Sequence, residues 1–275
     1  MNILENIFSW PNPTHQGYGI AHIIICILTI LFSIFFLQWG KHSSIKTIKK
    51  VVFAFGLFFF CLELYKQLFF HVFEKRDGYK WSMFPFQFCS TPLYFCLITP
   101  FLPHQGRKFM LSFLAFYGFL GGFSVLVFPE TVLSVEVTIT MQSLIWHGAM
   151  VVLAFYVIGA CHFGKQYQEI YPGTIVFLGI TAMALMMDLV FEQFKIKYQL
   201  SDTFNMFFIS PYYKSTVLVL STIWEKTNWY VFFACYVFGI FLAATVFFFC
   251  IRGIKVLYQR IKTKRIKNSP TQENF

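Results

Sequence analysis

Seven stretches of this chain are apolar for roughly 20 residues at a time, the length that crosses a ~30 Å hydrocarbon layer as a helix. They run approximately over 18–39, 51–73, 83–102, 109–128, 137–162, 173–194 and 229–251. Short joints rich in Lys, Gly or Pro separate them, such as Gly40–Lys50, Pro103–Lys108 and Pro129–Glu136. No segment alternates as the strands of a membrane barrel do. Composition agrees: the 275 residues are 57% hydrophobic and 12% charged, about half the charge of an ordinary soluble domain. A soluble globular protein, a disordered chain and a nucleic-acid module on a basic face are all excluded. The predicted fold is an all-α polytopic bundle of about seven transmembrane helices. Residues 1–251 form the membrane domain and 252–275 a basic tail.

The net charge of +10 reads as a topology signal. Lys41, Lys46, Lys49, Lys50, Arg107, Lys108, Lys165 and the tail bases from Arg252 to Lys267 fall on one side of the seven spans. Roughly half as many, among them Lys80, Lys195, Lys197, Lys214 and Lys226, fall on the other. The expected orientation puts the N-terminus outside and the C-terminus in the cytosol of a cell membrane. The first span has no preceding Lys or Arg and no small-residue cleavage site after it, unlike a cleaved signal peptide.

Charged residues within spans are costly and mark function by default. With this orientation they gather in the outer half. The second span carries Glu63, Gln67 and His71 at i,i+4 spacing, with Lys66 beside Glu63. The third begins with Cys89, flanked by Gln87, Ser90 and Thr91, and Pro92 removes an amide there. The fifth presents Thr140, Ser143 and His147, and the sixth ends with Asp188 and Glu192. Four spans thus direct polar groups to one depth, as an outward-facing pocket would. The structural alternative is a Glu63–Lys66 ion pair with Asp188 neutralising Lys66, and a His147 that simply bonds a neighbouring carbonyl.

All seven cysteines lie within spans, and neither a disulfide framework nor a zinc spacing is evident. Cys89 alone has polar neighbours; the other six read as small hydrophobes. A thiol and an imidazole in one buried pocket are the requirements of acyl transfer through a thioester. At that depth the accessible carbonyls are phospholipid esters. The long joint 195–228 holds two apolar pieces, Phe204–Ile209 and Val217–Ile223, interrupted by Pro211. It either dips back into the bundle or lies at the outer interface, the plainer alternative being an ordinary amphipathic surface loop.

At these residues the chain resembles the YwaF-like, transmembrane protein 164-like integral membrane family. The resemblance rests on the seven spans, on Pro85-Phe86-Gln87-Phe88-Cys89-Ser90, on His147, and on Asn205-Met206-Phe207-Phe208 followed by Pro211. It implies a phospholipid acyltransferase with Cys89 as the acyl-carrying nucleophile and His147 as general base. On that reading Gln87, Ser90 and Asn205 hydrogen-bond the substrate, while Glu63, Lys66, Asp188 and Glu192 shape the pocket or meet the headgroup. No metal or soluble cofactor is called for, and the partners are membrane phospholipids rather than nucleic acid. The alternative is a transporter or permease with Glu63, Lys66, Asp188 and Glu192 as its substrate or proton site.

Overall fold

A computed structural model describes residues 19–73, 79–134 and 136–267. Among these residues eight α-helices follow one another: α1 (Ile20–Gly40), α2 (Ile45–Leu68), α3 (Thr91–Ile98), α4 (His104–Val127), α5 (Val137–Ala160), α6 (Tyr171–Tyr198), α7 (Leu218–Lys226) and α8 (Trp229–Lys267). Among the described residues, α1, α4, α5, α6 and α8 are long and apolar enough to cross a membrane. The second expected span is α2, also 24 residues long, extended by a wider turn over Phe69–Phe73.

The third expected span differs from a continuous helix. It opens with a single turn at Trp81–Met83 and an irregular stretch through Gln87, and turns helical only over Phe88–Phe101. Pro85 explains this, since it lacks an amide and its predecessor Phe84 is held out of helical backbone (φ −54°, ψ 132°). Hydropathy averaged over twenty residues does not register such breaks. The tail boundary is also continuous: α8 runs unbroken through 251 to Lys267, and residues 268–275 lie outside the described chain.

The bundle is inverted relative to a soluble fold. The inward stripe of α1 is His22, Ile25, Thr29, Ser33 and Gly40, while Ile23, Ile27, Leu31 and Phe35 face outward. Without a hydrophobic drive between helices in lipid, close packing through small residues holds them together. A Cβ placed on Gly40 would lie 2.5 Å from the Tyr156 carbonyl oxygen, so α1 and α5 meet backbone to backbone there. Helix α5 is the central one, with 78% of its most apolar stretch buried against 22% for α1 and α8. Helices α1, α2 and α4 surround it. Behind α4, the stacked rings of Phe113, Tyr117 and Phe177 join α4 to α6.

The long joint resolves the expectations in favour of the first. Met206, Phe207, Ile209, Ser210 and Ser215 are fully buried, so the chain after α6 returns into the bundle before α7. It packs against the irregular start of the third segment. Each covers the other's unpaired backbone, as non-helical chain within a membrane protein requires.

Candidate active site

Cys89 lies in the first turn of the Phe88–Phe101 helical stretch. Gln87 precedes it in extended backbone (φ −73°, ψ 159°), and the first amides of a helix have no preceding helical carbonyl to bond. Pro92 fits here because its missing amide is one of those orphans. The Phe88 carbonyl that a residue-92 amide would otherwise bond is taken instead by the Thr91 hydroxyl at 2.8 Å. The positive end of the helix adjoins the thiol. Ser90, the next residue, is 4% exposed.

His147 faces the interior of α5 and is 3% exposed. Its Nδ1 lies 2.6 Å from the Ser143 carbonyl oxygen, which assigns the ring proton to Nδ1. Nε2 is then left with a lone pair, buried and without a hydrogen-bond partner. A Cβ on Gly122 would sit 2.5 Å from the His147 carbonyl oxygen, so α4 passes directly behind this residue.

A side-chain bond links the segments that carry the two groups. Trp146 donates its indole N–H to the Cys89 carbonyl at 2.9 Å and packs on Phe59 of α2 at 4.8 Å between ring centres. Lys66 interacts electrostatically with both Cys89 and His147. The direct thiol–imidazole hydrogen bond of a resting pair is not formed, because Nε2 has no partner.

On α2, Lys66 pairs with the buried Glu63 at 2.9 Å, as the i,i+3 spacing suggests. Gln67 donates to Glu63 at 2.7 Å and to the Met83 carbonyl at 2.9 Å, joining α2 to the broken segment. Tyr79 completes the network by donating to Gln67 at 3.1 Å. Burial and the nearby Glu63 carboxylate raise the Tyr79 hydroxyl above its ordinary range, so it stays a donor.

Asp188, Glu192, Gln87 and Asn205 form a second cluster. Asp188 is 1% exposed and accepts from the Met206 amide at 2.7 Å. It therefore does not neutralise Lys66, whose carboxylate partner is Glu63. Gln87 donates to the Asn205 carbonyl at 3.0 Å and accepts from the Phe207 amide at 2.9 Å. The Asn205 side chain accepts from the Ser210 amide at 3.0 Å. Glu192 accepts from Tyr213 at 2.7 Å, and Tyr213 in turn accepts from Lys195 at 2.6 Å. The single pocket expected from depth thus divides in two: a thiol–imidazole region beside Lys66, and a set of side chains that hold the returning loop.

Two contributors escaped the sequence reading. Trp146 bonds the Cys89 backbone. Tyr236 of α8 is 3% exposed and interacts electrostatically with Cys89. A tyrosine one turn from Phe232 in an otherwise apolar stretch was the available signal, but nothing local indicates which helix it faces.

These features define a polytopic integral membrane protein built on crossing helices, with an interrupted helix that carries a cysteine and a loop that returns into the bundle. A family model for the TMEM164 family matches residues 13–262, and the chain belongs to that family. No curated protein and no solved structure matches it.

Proposed function

We propose that this protein is a membrane-embedded phospholipid acyltransferase that works through a thioester on Cys89. The observation that carries the reading is the buried, unpartnered Nε2 of His147, its lone pair fixed by the Ser143 contact, in the neighbourhood of a thiol at a helix N-terminus. A buried polar atom without a partner is costly, and a reacting proton donor is a partner that would satisfy it.

In the first half-reaction Nε2 takes the Cys89 proton, directly or through one intervening hydroxyl. The sulfur bonds the ester carbonyl carbon, the bond from that carbon to the glycerol oxygen breaks, and the proton passes to the departing alkoxide. A lysophospholipid hydroxyl reverses these steps, gives up its proton to Nε2, and takes the acyl group from sulfur. First-turn amides and the Ser90 hydroxyl are the candidate donors to the developing oxyanion. Lys66 supplies positive charge at the same place. Between α1, α2 and α5 runs an apolar cleft of about 520 Å³, lined by Ile25, Phe32, Phe55 and Phe58. It reaches Ile145 and Gly148 on either side of Trp146 and His147, which suits it to a hydrocarbon chain.

The test is acyl exchange between a phospholipid and a lysophospholipid in vesicles containing the purified protein. Exchange that disappears in Cys89→Ala supports the reading. Exchange equal in Cys89→Ala and wild type contradicts it.

A further inference from the structure

Two consecutive non-glycine residues, Phe207 (φ 56°) and Phe208 (φ 58°), adopt left-handed backbone in the returning loop. Such conformations are costly and persist only where the surroundings over-determine them. Here the surroundings are specific. The Asn205 carbonyl and the Phe207 amide are both held by Gln87, and the Met206 amide between them is held by Asp188. The Phe207 ring, fully buried, stacks on Phe86 (5.9 Å, 19°) and meets Phe88 edge-on (5.6 Å, 81°). The strained turn therefore grips the three residues that immediately precede Cys89.

We propose that Asp188 is a positioning residue for Cys89, acting through the Met206–Phe207 turn and Gln87. This rests on the acyl-enzyme reading above and adds to it a function for the buried carboxylate that the chemistry itself leaves unused. Asp188 is at the far end of the series: its Oδ1 accepts from the Met206 amide and its Oδ2 is buried without a hydrogen-bond partner. What the turn requires of it is an oxygen acceptor, not a charge. That separates this role from a proton-carrying or headgroup-binding carboxylate, for which the charge is essential.

The experiment compares Asp188→Asn, which keeps an acceptor oxygen, with Asp188→Leu, which fills the space without one. Full-length protein in phosphatidylcholine vesicles carrying an alkyne-tagged acyl chain is assayed for the label on the Cys89 peptide. Alkylation of that peptide by N-ethylmaleimide and the thermal midpoint are measured in parallel. Displacement of a reacting group by about an ångström is enough to slow chemistry a hundredfold, so Asp188→Leu is expected to slow labelling by at least about tenfold and Asp188→Asn by no more than about twofold. Labelling of Asp188→Leu at the wild-type rate overturns the proposal. So does Asp188→Asn falling as far as Asp188→Leu, which would assign the carboxylate a charge role.

Should Asp188→Leu not fold, Gln87→Glu keeps the acceptor for Phe207 and removes the donor to Asn205. It too is expected to slow labelling, and a wild-type rate there counts against the proposal. If wild-type protein acquires no acyl label, the acyltransferase reading fails by itself. Positioning is then read from the alkylation rate, which changes in Asp188→Leu if the turn sets the thiol's surroundings and stays the same if it does not.

Discussion

The indole N–H of Trp146 donates to the carbonyl oxygen of Cys89 across 2.9 Å. The bond ties the first turn of the interrupted helix to the residue before His147, so one contact sets the spacing of the thiol-bearing and imidazole-bearing backbones. Trp146→Phe keeps the ring against Phe59 and deletes the donor. Interhelical hydrogen bonds in membrane proteins contribute about 1 kcal/mol, so a modest fall in unfolding free energy in micelles is expected. Acyl labelling of Cys89 should fall by a larger factor than that loss of stability alone explains.

His147 is expected to act on rate rather than on fold. Its contact with Ser143 lies within one helix, and its removal leaves no interhelical bond broken. General-base assistance is worth about 10²- to 10⁴-fold, so His147→Ala should slow thioester formation within that range while the thermal midpoint stays close to wild type. A time course of Cys89 labelling measures it.

Gly122 brings α4 against the His147 carbonyl, where a Cβ would stand 2.5 Å from the oxygen and 2.9 Å from the Met150 side chain. Gly122→Ala must push the two helices apart. Overpacking of this kind costs about 1–3 kcal/mol, and thermal unfolding in micelles should register it together with slower labelling.

Gln199 caps α6 in left-handed backbone (φ 51°, ψ 40°), at an exposed position where glycine is the usual residue. Gln199→Gly removes a Cβ clash worth about 1–2 kcal/mol, less the entropy that glycine loses on folding. A small rise in thermal midpoint with unchanged labelling is expected.

Much of this architecture is legible from residue order because the bilayer imposes it. Length and apolarity identify α1, α4, α5, α6 and α8, and the spacing of Glu63, Lys66 and Gln67 foretells their mutual contacts on α2. Pro211 between two short apolar pieces marks a joint unable to cross, and that joint does return into the bundle. The interruption of the third segment was also written in Pro85, but a hydropathy window averages over a proline.

Depth along a helix and direction around the bundle are different coordinates, and residue order supplies only the first. Asp188 and Lys66 were expected at one depth, yet they bond to Met206 and Glu63, because their helices face different neighbours. For the same reason neither Trp146 nor Tyr236 gave a sign of its partner. Gln87 illustrates a further limit: a glutamine beside a cysteine reads equally well as a substrate ligand or as a strut, and only its two bonds to the returning loop distinguish them.

The central claim is that Cys89 carries an acyl group. The most direct measurement is mass spectrometry of cysteine-containing peptides from full-length protein incubated in vesicles with an alkyne-tagged phospholipid. The account predicts a hydroxylamine-sensitive acyl adduct on the Cys89 peptide that is absent from Cys89→Ala. An adduct that survives Cys89→Ala undiminished, or no adduct on any cysteine while acyl exchange proceeds, would contradict it.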